Sequence, residues 1–307
     1  MELAFSETGD GPPVVILHGL FGWKRNWAGI AKTLGATHEI LALDLRNHGD
    51  SPHDEEMTYE AMADDVASFI EKSELGAVQI VGHSMGGKAA MVLALTRPEL
   101  VERLLVLDIA PIVYGHGFED FIEVMEGIDF DTITRRPEVE AILADAVQEP
   151  GVRAFIMQNL KSGDDSRYAW RVNLDAIDRH MEDIVGFPDI ESEQAFEGPT
   201  LFLGGSDSDY LQPFHQAEIE RLFPMAGIDF IDGAGHWVHA DRPEETAERI
   251  IDFWLFDVSC GIEEFSEWGC DQVDDGNKGG GVSVTPGSRT GGLEQAVHRL
   301  HAGIAVG

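Results

Sequence analysis

Ser84 lies in the stretch Gly82-His83-Ser84-Met85-Gly86, between an apolar run at residues 78–81 and the small residues Gly86-Gly87-Lys88-Ala89-Ala90. This is the G-x-S-x-G pattern of a serine raised on a sharp strand-to-helix turn, where flanking glycines remove side chains that would clash. The helix that follows points its N-terminus at the serine, favouring negative charge developing there. A serine hydroxyl is a weak nucleophile until a neighbouring base takes its proton. Gly233-Ala234-Gly235-His236-Trp237-Val238-His239 follows the last apolar run, and its small residues permit a loop that presents an imidazole. His236 fits the base because an imidazole takes and returns protons near neutral pH. His239, three residues on, is expected to face solvent or a cap. His18 is expected to brace its loop, and the side chain of His83 to diverge from that of Ser84. A glycine-rich turn with an incidental serine would give the same local pattern, so the surroundings must decide.

A tetrahedral intermediate on Ser84 needs donors for its oxyanion, and backbone N–H groups serve well because they need little reorganisation. The amides of Leu20, in His18-Gly19-Leu20-Phe21-Gly22, and of Met85 are assigned to this task. A carboxylate should orient the imidazole and stabilise its cation. Two positions fit the order serine, acid, histidine. Asp207 lies in Gly204-Gly205-Ser206-Asp207-Ser208-Asp209 after an apolar run, and Asp108 in Val106-Leu107-Asp108-Ile109-Ala110-Pro111 after another. The residues alone divide these evenly, with Asp209 a weaker third. In Asp44-Leu45-Arg46-Asn47-His48-Gly49, Asp44 and Arg46 are expected to pin a loop.

The elements that must position these groups alternate. Short apolar runs at 14–17, 40–45, 78–81, 104–107, 200–203 and 228–231 suit strands buried on both faces of a parallel sheet. Helix-like stretches lie at 57–71, 88–95, 216–222 and 244–256, and strand–helix alternation predicts a doubly wound α/β sheet. Between residues 111 and 190 the alternation stops. That segment holds helical patterns at 118–125, 139–147 and 152–160 and no convincing strand, and it reads as a helical insertion. The expected organisation is a core of residues 1–110 and 191–257, a helical cap of 111–190, and a glycine-rich tail of 258–307, mostly disordered, with a short helix at 293–300.

Composition narrows the partners. The 307 residues carry 56 acidic and 21 basic side chains, a formal net charge of −35. Such a surface repels nucleic acid and anionic lipid, so neither a nucleic-acid nor a membrane partner is expected. Scarce lysine beside abundant Asp and Glu suggests a protein made for high salt, where self-repulsion is screened. Cys260 and Cys270 both lie near the C-terminus and cannot staple the main body. The N-terminus shows no basic stretch followed by an apolar run, and no apolar run approaches the ~18 residues of a membrane span. The cytoplasm is the expected location.

Taken together the motifs resemble the α/β-hydrolase superfamily over about residues 2–256, and within it the small bacterial esterases of the YbfF type. The likeness is carried by residues 18–22, Asp44 to Gly49, Gly82 to Lys88, Asp108-Ile109-Ala110-Pro111, and residues 233–240. The resemblance implies a parallel-dominated sheet with a helical cap, and hydrolysis of esters or thioesters without cofactor or metal. It also implies that the acid is Asp108. Asp207 and Asp209 stand where that subgroup commonly carries a Gly-Gly-Asn-Ser type segment, a departure from its pattern. Trp170-Arg171-Val172-Asn173 also looks familial and reads as cap or pocket structure. The expected enzyme is a serine esterase acting on small-molecule esters through Ser84, Asp108 and His236, with Leu20 and Met85 holding the oxyanion. Phe21, Phe155 and Met157 should line its pocket, with cap core an equal reading for the last two. A perhydrolase or a C–C bond hydrolase could use the same triad. A non-catalytic binding module is the alternative of another class, and a fluorophosphonate probe at Ser84 separates it from the enzymes.

Overall fold

The computed structural model describes residues 1–115, 119–163, 167–190 and 194–255, with the side chains of residues 119 and 120 left aside. The glycine-rich segment 258–307, both cysteines and the expected helix at 293–300 lie outside the described residues.

Seven strands form one sheet: β1 (Phe5–Thr8), β2 (Pro13–Leu17), β3 (Glu39–Leu43), β4 (Val78–His83), β5 (Val101–Leu107), and two later strands at Thr200–Gly205 and Ala226–Ile231. Two three-residue strands intervene, β6 (Leu160–Ser162) and β7 (Tyr168–Trp170), so the later pair are β8 and β9. The order is β1-β3-β2-β4-β5-β8-β9, parallel throughout except where β1 runs against β3. The fold is that of an α/β hydrolase, a mostly parallel sheet flanked by helices.

Both faces of this sheet are covered, and the side-chain alternation shows it. In β5, Leu104 and Val106 join the core on one face while Leu105 and Leu107 join the core on the other. In β2, Val15 and Leu17 divide in the same way from Val14 and Ile16. A strand apolar on both sides reads as a continuous hydrophobic run, which is why these strands were visible without a period-two pattern.

On the first face lie α2 (Tyr59–Lys72) and α3 (Met85–Thr96); on the other lie α1 (Ala28–Leu34) and the final helix, Pro243–Leu255. Thr58 caps α2 by accepting a hydrogen bond from the Ala61 amide. Helix α3 is buried all round from Met85 to Leu95, wedged between the sheet and α2. Between β5 and β8 come α4 (Glu119–Glu126), α5 (Arg136–Ala146), α6 (Pro150–Ile156), α7 (Leu174–Arg179) and α8 (Met181–Val185); α9 (Gln216–Leu222) and α10 (Val238–Asp241) follow β8 and β9, making the final helix α11.

The inserted segment departs from the expectation of no strand, because β6 pairs antiparallel with β7, Lys161 opposite Ala169. Three residues per strand are too few to show a period. β1 was missed for a related reason: its side chains are mostly exposed and present no buried face. Among the described residues, no helix is long and apolar enough to cross a membrane.

Register fixes where the chemistry gathers. Leu17 lies beside Gly82, His83 beside Leu107, Leu107 beside Leu203, and Gly205 beside Ile231. The carboxyl ends of β2, β4, β5, β8 and β9 are thus level, and the residues that follow each strand share one edge. That edge is where open α/β sheets bind ligands.

Candidate active site

Ser84 is the turn between β4 and α3. Its backbone has φ 51° and ψ −119°, a left-handed conformation that holds a non-glycine residue under strain. The neighbouring glycines are required by distance. A Cβ on Gly82 would stand 2.5 Å from the Gly86 carbonyl oxygen, and one on Gly86 would stand 2.5 Å from the His18 carbonyl oxygen. The Ser84 amide donates to the Leu107 carbonyl at 3.0 Å, tying the turn to β5.

His236 reaches this hydroxyl from the loop after β9. The Ser84 hydroxyl donates to its Nε2 at 3.1 Å, and its Nδ1–H donates to Asp108 Oδ2 at 2.7 Å. A carboxylate only accepts, so the proton is fixed on Nδ1 and Nε2 is left to receive another. Asp108 is wholly buried, and its backbone is again left-handed, at φ 51°. Its other partners are the Gly205 amide, which donates to Oδ1 at 3.1 Å, and the Ser208 hydroxyl, which donates to Oδ2. A buried carboxylate requires this degree of pairing. Asp207 and Asp209 are exposed, and the Asp207 carboxylate accepts from the adjacent Ser206 hydroxyl at 3.3 Å. The carboxylate that meets His236 is therefore that of Asp108.

Three nearby histidines, His18, His48 and His83, bond to backbone around the site. His18 donates from Nδ1 to the Gly19 carbonyl and accepts at Nε2 from the Leu45 amide, at 2.8 and 3.0 Å. His48, which drew no separate notice in the sequence, donates to the Arg46 carbonyl and accepts from the Phe21 amide, at 3.0 and 3.1 Å. The two imidazoles lock the loop bearing Leu20 to the loop at 44–51. Burial lowers the pKa of both, that of His48 to about 3. His83 donates from Nε2 to the His236 carbonyl at 2.8 Å, so it steadies the backbone of the imidazole that meets Ser84. Burial holds His83 well below its ordinary pKa.

His239 does not face solvent. It is buried, stacked on Trp27 at 4.4 Å between ring centroids and set edge-on to His83 at 4.7 Å. The reason is local: α10 begins at Val238 and turns His239 inward.

Asp44 and Arg46 pin their loop through separate partners. Asp44 accepts from the amides of Lys24 and Asp50 at 2.6 and 2.7 Å and pairs with the Lys24 ammonium. Arg46 pairs with buried Asp65 at 2.7 Å. In the inserted segment, Arg171 pairs with Asp50, and the Asn173 side chain donates to Asn47 Oδ1 at 2.9 Å, fastening the insertion to that loop.

Leu20, Phe21, Ser84, His236, Trp237 and Phe155 line a cleft of about 360 Å³ over the site. Met157 is not among its lining residues. The chain leaves α6 at Ile156 through a short 3₁₀ turn, which buries Met157 in the core and leaves Ile156 facing the cleft. Met85 opens α3, so its amide is one of those with no acceptor inside the helix. It borders a smaller adjoining cleft.

Besides His48, two residues had no role assigned from the sequence. Tyr210 stacks on His236, with centroids 3.9 Å apart, and borders both clefts. Lys88 is 1% exposed, and its ammonium donates to the carbonyls of Val185, at 2.9 Å, and Gly186. Burial pushes its pKa down to about 7. A lysine four residues after the serine is a weak signal for burial, whereas Tyr210 lies in a polar loop and gave none. Among the described residues, no group of three or more His, Cys, Asp and Glu side chains is placed to hold a metal.

The family model for the alpha/beta hydrolase fold matches residues 12–243. The chain belongs to the α/β-hydrolase family. This hydrolase is 44% identical to the sn-1-specific diacylglycerol lipase ABHD11 of Danio rerio, over 81% of this chain and 80% of that one. It is 33% identical to esterase YbfF of Escherichia coli, over 78% of this chain and 92% of that one. Among solved structures, a marine microorganism esterase superposes with a TM-score of 0.80 at 36% identity, covering 82% of this chain and 99% of that one.

Proposed function

We propose that this protein is a serine esterase in which Ser84 attacks the ester carbonyl, His236 serves as general base and then general acid, and Asp108 orients His236. The observation that carries the reading is the continuous line from Asp108 Oδ2 through the His236 ring to the Ser84 hydroxyl, 2.7 and 3.1 Å at its two joints. The amides of Leu20 and Met85 hold the oxyanion; such a donor typically contributes ~3 kcal/mol. As Ser84 Oγ bonds the carbonyl carbon, its proton passes to His236 Nε2, and from there to the departing alkoxide. Water, deprotonated by the same nitrogen, then frees the acid from the acyl-enzyme. Asp108 stabilises the imidazolium formed in each half. Residues 1–110 and 191–257 act as the core, and residues 111–190 as a cap that shields the site from water. The relatives named as esterases and lipases support the class, a carboxylic ester hydrolase.

A fluorophosphonate probe tests this directly. Wild type should be labelled at Ser84 and should hydrolyse p-nitrophenyl acetate; Ser84→Ala should do neither. Labelling elsewhere, or turnover by Ser84→Ala, would remove Ser84 from the mechanism.

A second outcome for the same acyl-enzyme has a specific basis. A relative from Saccharomyces cerevisiae, 36% identical over 80% of this chain, is named a probable alcohol acetyltransferase. If an alcohol occupies the cleft beside His236 in place of water, the acyl group passes to it. Product ratios in mixed water and ethanol would measure that partition.

A further inference from the structure

Two clefts leave Ser84 and differ more than tenfold in size. One, about 30 Å³, is lined by Tyr59, Met85, Lys88, Ile109, Tyr114 and Ile184. The other, about 360 Å³, is lined by apolar side chains of the insertion, Phe121, Val152, Phe155 and Ile156, and by His236 and Trp237. Leu20, Ser84 and Tyr210 border both.

The chemistry at Ser84 assigns them. The attacked carbon carries the serine oxygen, the oxyanion, the departing alkoxide oxygen and the acyl chain. The alkoxide must take its proton from His236 Nε2, so the alcohol lies on the His236 side. His236 borders the large cleft alone. The acyl chain leaves in the remaining direction, toward the first turns of α3, where Met85 and Lys88 border the small cleft alone.

The walls of the small cleft are fixed. The Tyr59 hydroxyl donates to the Ile184 carbonyl at 2.6 Å, and the Tyr114 hydroxyl donates to the Tyr210 carbonyl at 2.6 Å. Lys88 holds the carbonyls of Val185 and Gly186, with its ammonium 4.8 Å from the Tyr114 ring centroid. Three polar side chains bonded to backbone resist displacement by a growing acyl chain. A single water needs about 10–15 Å³ of such space, so the cleft admits about two or three chain atoms beyond the carbonyl.

We propose that the preferred esters join a short acyl group, of about two to four carbons, to a larger apolar alcohol, with Ile184, Tyr59 and Tyr114 closing the acyl side and Phe155 and Trp237 receiving the alcohol. This rests on the serine esterase reading and specifies its substrate class.

The test separates the two sides of the bond. With p-nitrophenol constant, kcat/KM should fall at least tenfold from butyrate to octanoate, the scale on which a closed pocket discriminates added methylenes. With acetate constant, octyl acetate should exceed ethyl acetate by at least tenfold. Ile184→Ala, which trims the wall but keeps the carbonyl that Tyr59 holds, should raise octanoate relative to butyrate. Phe155→Ala should lower octyl acetate and leave the acyl preference unchanged. Ile109→Ala opens the same cleft from the core and replaces Ile184→Ala if that variant fails to fold. Wild-type preference for octanoate, or an acyl preference that shifts with Phe155→Ala and not with the Ile variants, would overturn the assignment while leaving the esterase reading intact. No turnover of any ester, with no fluorophosphonate at Ser84, would overturn both.

Discussion

Asp108 and His236 are separated by 128 residues, yet Oδ2 of one accepts from Nδ1 of the other at 2.7 Å. The pairing follows from register, since Asp108 directly follows β5 and the loop after β9 spans two strand positions to reach it. Asp108→Asn should keep the fold and lower kcat by about 10³–10⁴-fold, because an amide can donate to Nδ1 and force the wrong tautomer. Asp207→Asn, on an exposed side chain, should change kcat less than about twofold. Steady-state kinetics on one p-nitrophenyl ester compares them, and the opposite ranking would move the acid to Asp207.

The backbone at Ser84 predicts an unusual ordering of stabilities. Non-glycine residues in such conformations cost about 1–3 kcal/mol, a penalty glycine avoids. Ser84→Gly and Ser84→Ala should both be inactive, but Ser84→Gly should be the more stable by about 1 kcal/mol, after glycine's own entropic cost on folding is subtracted. Urea unfolding of the two variants settles the ordering; equal or reversed midpoints would mean the turn is relaxed in solution.

Much of this site is legible in the sequence, and the reason is local chemistry. The serine turn needs glycines at fixed offsets, and the two apolar faces of β4 and β5 write continuous hydrophobic runs into the chain. Ser84 and His236 were therefore visible. The residues alone left Asp108 and Asp207 level, because both follow an apolar run and only the strand order decides which faces the imidazole; the family resemblance is what pointed to Asp108. His48 and Tyr210 were missed because their roles depend on loops distant in sequence, and a histidine in a polar loop looks the same whether it braces an amide or meets water. Met157 falls to the second of its two readings, cap core, because a helix-to-3₁₀ change at Ile156 rotates the face of the chain, and periodicity does not register such a change.

The charge balance makes a prediction about salt. A formal charge of −35 on 307 residues destabilises the compact state through self-repulsion. Raising ionic strength from about 0.05 M toward 1 M shortens the screening length to about 3 Å and relieves the repulsion. Screening also weakens exposed ion pairs such as Arg97 with Glu71 and Glu99, but such pairs contribute about 1 kcal/mol or less each. The thermal midpoint should rise by several degrees across that range in potassium chloride. An unchanged or falling midpoint would end the high-salt reading of the composition.

The buried imidazoles predict how acid unfolds the protein. His18, His48, His83 and His239 all have pKa values lowered from 6.5 chiefly by burial, those of His48 and His239 to about 3. The unfolded chain binds protons near pH 6.5 that the folded chain refuses, so their contribution is intact above that pH and is lost as pH falls toward 3. Each imidazole contributes a slope of up to about 1.4 kcal/mol per pH unit in that window. Urea midpoints should therefore drop steeply between pH 7 and pH 5, before most carboxylates titrate. His239 allows the cause to be isolated, because its Nδ1 is buried without a hydrogen-bond partner while its ring stacks on Trp27. His239→Phe keeps a stacked ring and removes the orphaned nitrogen, whose burial costs about 1–3 kcal/mol. The variant should be at least as stable as wild type at pH 7.5 and should lose about one proton's share of the slope. A slope unchanged by that substitution would mean that His239 takes up its proton equally well folded and unfolded.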